Sequence, residues 1–124
     1  MKNKFTLLFM LMIVCILSAQ AQQGPGQRRT PEERTKMTID KLSDSLNLIA
    51  AQKTDVDAVY LEYYKAQDKL RENLSPGTRP EKTDLDKIIE VRDAKLKIIL
   101  KEKQFAKLKA MEAAMRQRMQ QRPQ

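Results

Sequence analysis

The 124 residues carry 24 Lys and Arg against 16 Asp and Glu, a formal charge of +8, with no histidine, no tryptophan and a single cysteine. That inventory removes histidine-ligated zinc sites, Ser-His triads and intramolecular disulfides. One domain at most fits this length.

Lys2 and Lys4 precede an apolar run from Phe5 to Leu17 that only Thr6 interrupts, and Ser18-Ala19-Gln20-Ala21 then supplies the small residues a signal peptidase reads. Thirteen residues of helix rise about 20 Å, short of a ~30 Å hydrocarbon core, so the segment reads as an export signal cleaved after Ala21 rather than an anchor. Cys15 lies inside the run, not just after it where a lipoprotein signal needs it, and leaves with the signal. The expected mature chain of 103 residues holds 36 apolar and 38 charged side chains, net +6. With so few apolar residues and no disulfide, its stability must come from helix packing or association.

Residues 22–29 read as a disordered, basic lead-in. Thr30-Pro31-Glu32-Glu33 opens the helical domain expected over 30–122: Thr30 caps, Pro31 suits the first helical position, and Glu33 completes a capping box. Every Gly and Pro after Ala21 falls outside 32–75 and 81–122, so two helical arms meet at a hinge over 74–80. In the first arm one stripe runs through Thr35, Ile39, Leu42 and Leu46, and the phase breaks around Leu46-Asn47-Leu48. A second stripe follows through Gln52, Val56, Val59, Tyr60, Tyr63 and Leu70. The second arm repeats this with Leu85, Ile88, Ile89, Arg92, Leu96 and Ile99, then Phe105, Leu108, Met111, Met115 and Met119. No strand alternation competes. The expected fold is all-α: an elongated helical hairpin of about four helices, with homodimerisation the economical way to cover the remaining apolar faces.

At the break in each arm stands a Leu-x-x-x-Gln: Leu48-Ile49-Ala50-Ala51-Gln52 and Leu100-Lys101-Glu102-Lys103-Gln104. Each Leu closes one stripe, and each Gln amide falls in the first turn of the next helix, where it can bond backbone groups freed by the junction. Two such matches at register changes in an exported, charged, helical chain resemble the LTxxQ family of periplasmic proteins, which includes Spy and CpxP, over about Thr30 to Met119. The Thr of the motif is replaced by Ile49 and by Lys101, which points to smoother bends or continuous helix in place of capped breaks. The resemblance implies an antiparallel, cradle-shaped homodimer in the periplasm whose concave face holds unfolded client proteins without ATP. It also implies a second possible partner, the periplasmic domain of a sensor kinase in an envelope stress response. A structural, surface-associated helical protein is a further alternative.

Little chemistry competes with binding. The serines of the mature chain, Ser43, Ser45 and Ser75, have no histidine to activate them, and Asp55/Asp57 and Asp84/Asp86 are spaced to point apart on a helix. Catalysis is not expected. No Gly-rich phosphate loop occurs, and neither cofactor nor metal is expected. Met111, Met115 and Met119 share one face at spacing i, i+4, i+8, which suits a core or interface better than three-thioether Cu(I) ligation. Residues 102–124 carry net +4, and with Arg28 and Arg29 the two termini hold the whole mature charge. Export makes nucleic acid improbable as a partner; acidic client segments or an anionic membrane surface fit better. Leu48, Gln52, Leu100 and Gln104 are thus the junction residues, and Ile88, Ile99, Phe105 and Met115 the expected core or dimer interface. Arg116, Arg118 and Met119 are the expected client contacts. Tyr60 and Tyr63 are expected to pack, and Tyr64, off the stripe, to be exposed.

Overall fold

The structure, a computed structural model, describes residues 28–122. The expected export signal over 1–21 and residues 22–27 of the expected lead-in lie outside the described residues. Among the described residues there are four α-helices and no strand: α1 (Pro31–Leu46), α2 (Ala50–Glu72), α3 (Lys82–Ile99) and α4 (Glu102–Gln120).

Helix α1 starts as its sequence dictates. The Thr30 hydroxyl accepts the Glu33 amide at 3.2 Å while the Glu33 carboxylate accepts the Thr30 amide at 3.0 Å, a complete capping box. Thr35 sits buried on the apolar stripe because its hydroxyl donates to the Pro31 carbonyl one turn back, at 2.7 Å. The helix stops at Asn47, whose left-handed backbone (φ 51°, ψ 53°) returns its N–H to the Ser43 carbonyl. Asparagine tolerates that conformation better than most residues. Between α2 and α3 the chain runs through 73–81, where Gly77 takes φ +84° with open space around its α-carbon.

Both Leu-x-x-x-Gln junctions are breaks, contrary to the bend or continuous helix that the missing threonines suggest. Ile49 (φ −74°, ψ 163°) and Lys101 (φ −67°, ψ 153°) adopt the same extended backbone as the capping Thr30 (φ −63°, ψ 158°), although neither side chain bonds a backbone amide. The two breaks differ on their incoming side. α1 ends through the left-handed Asn47, whereas α3 passes directly into an extended Leu100 (φ −90°, ψ 146°).

Cross-helix pairs fix an up-down-up-down order. Arg34 meets Asp68 and Thr38 meets Tyr64 between α1 and α2; Glu62 meets Lys95 between α2 and α3; Asp93 meets Lys109 between α3 and α4. One core collects the stripes of all four helices: Leu42 and Leu46, Val56, Val59 and Tyr60, Leu96, and Leu108, closed at the junction end by Leu48 and Leu100. Val56 and Leu96 are fully buried. Leu108 is the only buried residue of α4, and from Ala113 to Arg122 every residue is exposed. Helix α4 is therefore anchored by its first half and stands out by its second.

Leu96→Ala should cost about 2–5 kcal/mol in urea unfolding, through lost transfer energy and a core cavity. Ile98→Ala, two residues away but 87% exposed, should change stability by less than about 0.5 kcal/mol.

Candidate functional site

The two junctions meet each other. Gln52 Nε2 donates to Gln104 Oε1 at 2.8 Å, and Gln104 Nε2 donates back to Gln52 Oε1 at 3.3 Å. Each carboxamide oxygen also accepts the backbone N–H that opens its own helix, from Ile49 at 3.2 Å and from Lys101 at 3.0 Å. Each remaining amide hydrogen goes to the end of a helix in the other half of the chain: Gln52 to the Ile99 carbonyl at 3.2 Å, Gln104 to the Leu46 carbonyl at 3.0 Å. Two side chains thereby satisfy four orphan backbone groups and one another. This carboxamide is what holds Ile49 and Lys101 in cap geometry without a threonine, since the third residue of each helix supplies its half of a capping box.

Halfway along the bundle lies a second polar centre. Arg92, 7% exposed, reaches Asp93 at 2.7 Å and Glu112 at 2.8 Å, and Lys109 reaches the same two carboxylates at 2.7 and 3.1 Å. The Arg92 guanidinium lies 4.8 Å from the Tyr63 ring centre and 5.6 Å from that of Tyr60. Two cations and two anions balance, which such a low-dielectric place requires. Burial works against the Asp93 carboxylate, but the hydrogen bonds from Lys109 and Arg92 outweigh it and hold its pKa below the usual carboxylate value. Burial likewise opposes the Lys109 charge, and its bonds to Asp93 and Glu112 raise its pKa regardless. Burial pushes the Tyr60 phenol above its ordinary range. This latch ties α4 to α3 and, through Arg92, to the tyrosines of α2.

Beside the latch, α1 and α4 part to leave an open groove of about 340 Å³. Tyr60, Tyr63 and Tyr64 line it, packed ring against ring with centres 5.1–6.1 Å apart. Met37 from α1 and Met111 and Met115 from α4 also line it, with Lys41 and Glu112 as its charged residues beside Arg92. A smaller cavity of about 250 Å³ opens between α2 and α3, lined by Val59, Ala66, Ile88 and Val91.

Leu48 and Leu100 are buried where the junctions cross, and Gln52 and Gln104 are brought together there. Ile99 and Phe105 are half-buried against the core, and Ile88 is half-buried at the smaller cavity. Met115 lies outside the core, 45% exposed on the groove. Arg116, Arg118 and Met119 lie together on the exposed half of α4, Arg116 within 3.8 Å of Glu112. Tyr64 is not a free surface residue: its hydroxyl shares a hydrogen bond with Thr38 at 2.8 Å, and Arg34 covers its ring at 4.7 Å. Met37 sits off the apolar stripe of α1 taken alone, and only the fourth helix makes it part of a surface. The latch has one sequence signal, an arginine on the stripe between Ile89 and Leu96.

No family model, curated protein or solved structure matches the chain.

Because Ile49 and Lys101 already have cap geometry, Ile49→Thr and Lys101→Thr should each raise stability by about 0.5–1 kcal/mol in urea unfolding, by completing a capping box. The latch sets a pH profile. Asp93's depressed pKa adds stability that is complete above the unfolded carboxylate value and lost as pH falls through the folded one. Lys109 and Tyr60, both raised, add stability that is lost only as pH rises beyond their unfolded values. The midpoint of thermal unfolding should stay level from about pH 5 to 9, where no histidine titrates, and fall below about pH 4. Asp93→Asn should lower the plateau and flatten the acid limb.

Proposed function

We propose that this chain is an exported, ATP-independent holdase of the LTxxQ type, which binds unfolded or aggregation-prone client proteins in the envelope as a cradle-like homodimer. The groove between α1 and α4 carries this reading. It offers flexible methionines and stacked tyrosines to an apolar segment, in a form that adapts to many shapes rather than one. The exposed half of α4 extends the surface with Met119 beside Arg116 and Arg118. Positive charge next to apolar surface suits capture of acidic, partly unfolded chains: electrostatic attraction speeds encounter, and apolar contact then retains the client. Val91, Ile98, Met37 and Met119 are each more than half exposed, which supports a second copy as cover for part of that surface. The paired Leu-x-x-x-Gln breaks support the family assignment, because both glutamines serve helix starts.

Light scattering from a reduced or denatured client measures the activity. Stoichiometric mature protein should suppress aggregation at low salt, and suppression should weaken as salt rises. Met37→Glu/Met115→Glu, on two exposed groove positions, should abolish most of the effect while leaving helical content unchanged. Unaltered client aggregation with the native protein would remove the holdase reading. A solution mass equal to one chain would remove the cradle.

A further inference from the structure

At the end of the bundle away from the glutamine pair, the start of α1, the last turn of α2 and the connection to α3 enclose an open basin of about 970 Å³. Five arginines line it, Arg28, Arg29, Arg34, Arg71 and Arg79, against a single acid, Asp68. Asp68 is already engaged by Arg34 at 2.6 Å and by Arg71 at 3.6 Å. Arg28, Arg29 and Arg79 form no ion pair among the described residues. Arg34 keeps one buried donor, Nε, without a hydrogen-bond partner.

These residues converge from three places in the sequence, so their proximity is a product of the fold and not of a local charge run. Five guanidinium groups around one carboxylate leave net +4 in one basin, and like charges gathered this way repel. The Arg92 latch, by contrast, pairs two bases with two acids. The basin leaves its excess uncompensated, with donors to spare. Guanidinium forks match the oxygens of a phosphate group bidentately, and several of them favour an anion with several charges. Ser75 and Thr78 on the connecting loop add hydroxyl groups to the same lining.

We propose that this basin binds a multiply charged phosphate anion, either the phosphorylated headgroup of a lipid or a free polyphosphate. The site is independent of the client groove: it lies where α1 begins, and the groove lies between α1 and α4. Arg28, Arg29 and Arg79 supply the free charge, and Arg34 and Arg71, held by Asp68, fix the back of the basin.

Calorimetric titration of the mature chain with inorganic tripolyphosphate tests it. Saturable binding is expected, and Arg28→Gln/Arg29→Gln/Arg79→Gln should weaken it about tenfold or more, while Arg79→Gln alone should weaken it about threefold. Circular dichroism should be unchanged in both, and the thermal midpoint should not fall, because none of the three is paired and their removal relieves repulsion. Lys53→Gln/Lys103→Gln/Lys107→Gln, which removes the same charge from exposed positions towards the other end, should leave the affinity within about twofold. Absence of saturable binding, or equal losses in the arginine and lysine triples, overturns the site. Flotation with phosphatidylcholine vesicles, with and without phosphatidic acid, identifies the source. Arginine-dependent recruitment by phosphatidic acid marks a lipid headgroup, and tripolyphosphate binding without recruitment marks the free anion.

Discussion

Every broken helix leaves backbone donors and acceptors that must find partners or water, and this chain breaks twice at the same end of its bundle. The reciprocal contact between Gln52 and Gln104 answers both breaks together. Because each carboxamide serves its own helix start and the helix end of the opposite half, the ends of α1 and α3 and the starts of α2 and α4 are drawn to one point. Short breaks then force antiparallel neighbours, and the rest of the packing follows from which stripes face inward. A neutral contact of this kind tolerates salt and pH, which matters for a chain that has no covalent cross-link to fall back on.

Helix number, the place of the hinge and most of the core were legible in the sequence. Thr35, Leu42, Leu46, Val56, Val59, Tyr60, Leu96 and Leu108 all lie on stripes set by spacing alone, and Pro76, Gly77 and Pro80 mark the connection over 73–81. What was not legible depended on partners far along the chain. The absence of threonine at Ile49 and Lys101 argues against breaks if caps are judged by the cap residue alone, yet the amide three residues on takes the cap role, and each such amide is held in place by the other, 52 residues away. Tyr64 lies off its helix's stripe and is covered because Arg34 and Thr38 of α1 reach it. Met37 acquires a neighbourhood only when α4 folds back across α1.

Charge tells a related story. Along the sequence the excess of bases sits at the two termini and the middle sums to zero, a pattern that suggests two sticky ends. In three dimensions the groups are redistributed. Arg28 and Arg29 join Arg71 and Arg79 from the middle of the chain, so the basin is more cationic than the terminus from which it begins. The basic tail is partly spent: Lys109 is committed to the latch and Arg116 approaches Glu112, leaving Lys103, Lys107, Arg118 and Arg122 without an ion pair among the described residues. Polarity also divides the molecule lengthwise, with an amide-bonded end that is closed and an arginine-rich end that is open. The methionine and tyrosine groove lies between them.

The symmetry of the glutamine contact has a consequence for how such a chain changes over generations. Losing either amide leaves the other buried with two bonds unmade, along with a backbone group at each break, and an orphaned polar group costs more than a whole pair removed together. A single substitution at position 52 or 104 is therefore a loss wherever it occurs, and a simultaneous apolar replacement of both removes the two amides together but still strands the four backbone groups they serve. The two positions therefore act as one unit, and only a replacement that still serves both helix starts and both helix ends can stand in for the pair.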